Sequence, residues 1–137
     1  MKGELDKLKA ILKKSLEVTL KNTDPENIDL ILDNRDEAEF SDAWIHAYNL
    51  IEKEVIDPEI KSKIDEFRKE IFVLTFRNTG SSDLPAYISD DVDLICSYYV
   101  LDIHSTWVSH LLFTYLNYQI PQGILMETDQ TINELIQ

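Results

Sequence analysis

The sequence predicts an all-α fold, a single compact bundle of about five helices, on three observations. Among 137 residues only three are glycine and four proline, too few breaks for a chain of many short strands. Apolar residues recur at three- and four-residue spacing over most of its length. The breaks that exist carry helix-start chemistry, with Asp24-Pro25 and Asp57-Pro58 each placing a capping aspartate before a proline suited to the first helical turn. One domain over 1–137 is expected, with 122–137 an ambiguous tail. A domain of this size buries roughly 65–70% of its unfolded surface and needs no staples.

Leu5, Leu8, Ile11, Leu12, Leu16 and Leu20 make 4–22 an amphipathic helix with Lys7, Lys14 and Lys21 facing outward. After the Asp24-Pro25 restart, a short helix runs through Ile28, Ile31 and Leu32 and ends near Asn34. Ser41 is expected to cap the next helix, with Phe40 stapled against Ile45 and a buried face of Trp44, Ala47, Tyr48, Ile51 and Val55. From Asp57-Pro58 the spacing of Ile60, Ile64, Phe67, Ile71 and Leu74 is a heptad seam. Phe72, Val73 and Phe76 make the end of that helix apolar all round, which predicts that it is enclosed at the centre of the bundle. Asn78-Thr79-Gly80 closes it.

Leu84 to Ile88 reads as one helical turn, and Ser89-Asp90-Asp91 as the cap of a longer helix buried through Val92, Ile95, Cys96, Tyr99, Val100 and Ile103. A strand over 94–101 is the alternative there, since the run is rich in strand formers. Ser105 caps a last strong helix through Trp107, Val108, Leu111, Leu112, Tyr115 and Leu116, and Thr131 to Ile136 can form a final turn or two.

The formal charge of −13 disfavours nucleic acid and anionic membrane surfaces as ligands, because both need a basic stripe. Residues 24–42 hold eight acids against Arg35 alone, and residues 81–137 hold eight acids and no lysine or arginine. Such acid either keeps the protein dispersed or meets a basic protein partner. No apolar run approaches the ~18 residues of a membrane span, and no signal-peptide pattern opens the chain, so a cytoplasmic location is expected.

Little in the chain names a reaction. Glycine-rich phosphate loops have no place to sit, and the single Cys96 excludes an internal disulfide and a CxxC site. Cys96 falls on a predicted buried face, where a thiol behaves as a small hydrophobe. His46, His104 and His110 match no ligand spacing. No catalytic residue, metal site or cofactor is therefore expected, and the protein is read as a non-enzyme. The tightest acidic cluster, Asp90, Asp91 and Asp93, lacks the glycine and glutamate of a calcium loop. It reads as helix capping, as a partner-facing patch or, in an alternative reading, as the carboxylates of an enzyme of unrecognised class. Five of six tyrosines fall in the last 51 residues, and Tyr98 and Tyr118 sit off the apolar faces. Tyrosine beside carboxylate suits protein recognition. Asp90, Asp91, Asp93, Tyr98 and Tyr118 are thus the candidate partner-binding residues.

The stretch from Leu84-Pro85-Ala86-Tyr87-Ile88-Ser89-Asp90-Asp91 to Ile95, followed by Trp107, Leu111, Tyr115 and Pro121, resembles the C-terminal part of small helical bacterial proteins of the toxin-immunity type. The resemblance covers about 40 residues. It implies an inhibitor that binds a basic toxin domain through acidic and aromatic side chains. A homodimer built on an exposed apolar seam, and a mimic of DNA charge, are the other readings the composition leaves open.

Overall fold

The computed structural model describes residues 2–137, with side chains from Glu4 onward. Among these residues there are seven α-helices and no strand: α1 (Lys2–Lys21), α2 (Ile28–Asp36), α3 (Ala38–Ile51), α4 (Pro58–Thr79), α5 (Leu84–Leu101), α6 (Thr106–Leu116) and the single turn α7 (Ile132–Leu135). The class is all-α, with more helices than the five expected. A 3₁₀ turn at Pro25–Asn27 precedes α2.

Local start and stop chemistry explains most boundaries. Asp24 and Asp57 each accept a backbone N–H two residues on, from Glu26 and Glu59, with a proline next in line. Gly80, at φ +68°, lets the chain turn left-handed after α4 while its N–H still reaches the Phe76 carbonyl. Ser105 caps α6 through the Val108 N–H. Thr131 and Glu134 form a reciprocal capping box on α7.

Two starts differ from the sequence reading. Helix α3 begins at Ala38, so Ser41 lies inside it and does not cap it. Helix α5 is unbroken from Leu84 to Leu101, which also sets aside the strand over 94–101. The Ser81 hydroxyl accepts the Asp83 and Leu84 N–H groups, and Pro85 needs no acceptor in the first turn. The helix is therefore already under way when it reaches Ser89, Asp90 and Asp91, which cannot cap it.

The apolar faces meet in one core. The α1 leucines Leu5, Leu8, Leu12, Leu16 and Leu20 are all enclosed, as are Ile64, Phe67 and Ile71 of the α4 seam. The helix at the centre is α5, which packs on α1, α3, α4 and α6 and buries residues on every side. Helix α4 rests on α1 and α5 and turns its other face outward. Phe72, Val73 and Phe76 are 41%, 43% and 51% exposed, contrary to the enclosure expected of them. The outer side of α3 is open in the same way: Tyr48, expected inside, is exposed, Phe40, Ala47 and Ile51 carry the buried face, and Val55, also expected on it, lies exposed in the segment after the helix. No helix among the described residues is long and apolar enough to cross a membrane.

Candidate functional site

Arg35 and Asp91 sit on the apolar faces of α2 and α5. The spacing Ile28, Ile31, Arg35 is that of a buried stripe, and so is Leu84, Ile88, Asp91, Ile95. Burying either charge alone would be costly, and here they meet. Arg35 Nη2 lies 2.8 Å from Asp91 Oδ1 and Nη1 lies 2.9 Å from Oδ2, a two-pronged pair. Trp44 Nε1 donates to Oδ1 at 2.9 Å, the Tyr115 hydroxyl donates to Oδ2, and Arg35 Nη1 also reaches the Pro121 carbonyl at 2.9 Å. Arg35 stacks over Phe40 at 4.5 Å and Tyr87 at 5.4 Å. The knot thus ties α2, α3, α5, α6 and the segment after α6 to one carboxylate.

The electrostatics follow from that enclosure. Burial works to lower the Arg35 pKa, but the Asp91 charge and its hydrogen bonds outweigh it, so the guanidinium is held charged more firmly than usual. Burial, reinforced by the Asp91 charge, pushes the Tyr115 phenol well above its ordinary value. Arg35 Nε is buried without an acceptor among the described residues, a cost carried by a side chain whose two terminal nitrogens both have acceptors.

Above the knot lies a face of mixed aromatic and acidic character. Trp44 and Tyr48 stack with ring centroids 5.8 Å apart and 13° between planes. Trp44 separates two recesses. One, of about 190 Å³, is bordered by Asp36, Phe40, Ile45, Tyr87 and Asp90, with Arg35 also in its lining. The other, of about 280 Å³, is bordered by Tyr48, Glu52, Glu54, Lys61, Asp90 and Asp93.

The five residues singled out from sequence divide accordingly. Asp90 and Asp93 reach this face, but bases from α4 already attend them: Arg68 lies 2.6 Å from Asp90 and 3.6 Å from Asp93, and Lys61 lies 3.9 Å from Asp93. Burial raises the Asp90 pKa, with Arg68 acting against it. Asp91 is 0% and Tyr98 1% exposed, so neither can touch a partner as the chain stands folded. Asp91 is held by Arg35, and the Tyr98 hydroxyl donates to the Ala47 carbonyl at 2.6 Å, tying α5 to α3. Tyr118 is exposed, in the left-handed region at φ 63°, and borders a separate recess with Asn22, Asp24 and Ile124.

Sequence reasoning missed Arg35, Trp44 and Tyr115 as a set. The usable signal was a charged residue at a buried-stripe position on each of α2 and α5, which in a folded chain demands a partner. Other candidates stay chemically quiet. Cys96 is enclosed, and burial pushes its thiol up to about 12, far from the thiolate a nucleophile needs. His46 and His104 are exposed, and His110 pairs with the Thr128 carbonyl. No group of three metal-ligating side chains occurs among the described residues.

The chain is thus a helical bundle whose core holds a buried ion pair and whose surface carries an acid-and-aromatic face. The chain belongs to the immunity protein PIM1 family, whose family model matches residues 7–122 and therefore spans α1 to the segment that closes over Arg35. A comparison with curated proteins finds no match.

Proposed function

We propose that this protein neutralises a toxin by binding it stoichiometrically, and that the toxin domain it meets is basic. The family supports the first half. The observation that carries the second is a block of open acid on α2 and the start of α3. Asp29, Asp33, Asp36, Glu37, Glu39 and Asp42 are all exposed, and none makes an ion pair among the described residues. Unpaired surface charge of one sign steers an opposite partner and speeds encounter. Asp90 and Asp93 contribute less to that field, because Arg68 and Lys61 offset them. The reading keeps those two as contacts at the edge of the interface and gives Asp91 and Tyr98 structural roles. It is inhibition by occupancy, without chemistry and in the cytoplasm.

The test is co-expression, in turn, with toxin domains from the protein's own genome, scored by growth, followed by association rates on any toxin neutralised. Rescue by one of them is expected. Association should slow by roughly tenfold or more as salt shortens the Debye length from ~10 Å at 0.1 M to ~3 Å at 1 M. Failure to rescue against every such domain would refute the immunity reading, and a salt-indifferent association rate would refute the basic partner.

A further inference from the structure

We infer that the outer face of α3, centred on Trp44 and Tyr48 with a recess on either side of Trp44, is the surface that receives the toxin, and that the toxin enters it with lysine or arginine side chains set around an apolar one. This assignment rests on the toxin-binding reading above. Ile45, Tyr48 and Tyr87 are 50%, 44% and 37% exposed beside one another's recesses, an apolar surface the fold leaves uncovered. The Trp44 ring is held in place before any partner arrives, by its bond to Asp91 and its stack on Tyr48. A rigid aromatic anchor of that kind binds at low cost in conformational entropy.

Charge identifies the occupant. Asp36, Glu52 and Glu54 border the two recesses as open acids, Asp90 and Asp93 border them partly offset by Arg68 and Lys61, and Arg35 in the lining is already matched by buried Asp91. An anionic ligand would be repelled there. A lysine or arginine would find carboxylates at the rim and aromatic walls inside. A second uncovered apolar patch, Phe72 and Val73 on α4, lies beside Arg68 and Lys69, and the one acid in its lining, Asp65, is 3.6 Å from Lys61, so bases outnumber acids there. Tyr118 and Ile124 share a recess whose charged member is Asp24 alone.

Two measurements test the assignment. The first needs no toxin: an acetylated peptide of sequence Arg-Leu-Arg-Arg-Leu-Arg is titrated into the isotopically labelled full chain at low salt, and amide shifts are followed by NMR. Shifts concentrated at Ile45, Tyr48 and Glu52 support it. Shifts centred on Phe72 to Phe76 or on Tyr118, or spread evenly over every exposed acid, overturn it. The second uses a toxin the protein neutralises. Tyr48→Ala should raise the dissociation rate about tenfold. Glu52→Lys combined with Glu54→Lys should slow association about tenfold at low salt. Phe76→Ser, on the outer face of α4, should leave both rates unchanged. All of these positions are solvent-exposed, so circular dichroism should show an intact fold in each variant. Wild-type rates in the Tyr48 and Glu52/Glu54 variants would overturn the surface while leaving the toxin-binding reading standing. Absence of any neutralised toxin would strike that reading instead, with the peptide map still deciding the surface.

Discussion

Replacing Asp91 by Asn changes one atom of the knot and removes its balancing charge. In the native chain four donors converge on two carboxylate oxygens: Arg35 Nη2 and Trp44 Nε1 on Oδ1, and Arg35 Nη1 and the Tyr115 hydroxyl on Oδ2. An asparagine amide offers one oxygen and one NH₂. If the NH₂ took the Oδ1 position it would face two nitrogens that can only donate. It must therefore take the Oδ2 position, where the Tyr115 hydroxyl can turn to accept and Arg35 Nη1 keeps only the Pro121 carbonyl. Geometry survives, but the guanidinium is left enclosed without its counter-charge. Breaking a buried pair on one side costs about 3–5 kcal/mol, a large share of the 5–15 kcal/mol typical of a whole domain. Urea unfolding followed by far-ultraviolet circular dichroism measures it. A double variant, Arg35→Met with Asp91→Leu, removes both charges and should recover at least about 2 kcal/mol of the single-variant loss, though Trp44 and Tyr115 then lose an acceptor. An Asp91→Asn variant within about 1 kcal/mol of wild type would refute the argument, since a hydrogen-bond loss alone accounts for that much.

Two further outcomes follow from packing and titration. Phe67→Ala should cost about 3–5 kcal/mol and Ile71→Ala about 2–5 kcal/mol, because both side chains are enclosed on the α4 seam, while Phe76→Ser on the outer face should stay within about 0.5 kcal/mol; denaturation midpoints decide, and equal losses would contradict the assigned face. Cys96, with its thiol raised by burial from 9.0 to about 12, and Tyr115, raised by burial and the Asp91 charge, ionise more readily in the unfolded chain. The Cys96 contribution is therefore complete below pH ~9 and is lost as pH climbs toward 12, at about 1.4 kcal/mol per pH unit, and Tyr115 adds a loss of the same sign once the pH passes its ordinary value of 10.0. Stability measured from pH 8 to 11 should fall, Cys96→Ala should soften the slope, and Cys96 should resist alkylation until the protein unfolds.

Much of the fold was legible in the chain because periodicity and capping are local. The leucine stripe of α1 and the heptad of α4 each specify which face is turned inward, and each is turned inward, while the Ser105 cap marks where α6 starts. Asp24-Pro25 and Asp57-Pro58 mark starts for the same reason, since a cap acts on backbone groups two residues away. Acid stands beside aromatics at the surface on α3, with Trp44 and Tyr48, whereas Tyr98 is enclosed.

What the chain alone did not decide was everything that depends on how many neighbours a helix receives. Helices α4 and α5 both end in apolar runs. Only the packing of α1, α3, α4 and α6 around α5 makes α5 the centre, and it leaves Phe72, Val73 and Phe76 in water. The same holds for charge. Residues 81–137 contain no lysine or arginine, so sequence arithmetic shows an unrelieved acidic segment. In the folded protein Arg35 from α2 neutralises Asp91, and Arg68 and Lys61 from α4 attend Asp90 and Asp93. A helical period fixes the direction a side chain leaves its own axis, over a few residues. Whether that direction ends in solvent, in a hydrophobic neighbour or on an opposite charge dozens of residues away is set by the docking of whole helices, and that docking turned three aspartates within four residues into one buried anchor and two ion-paired groups nearer the surface.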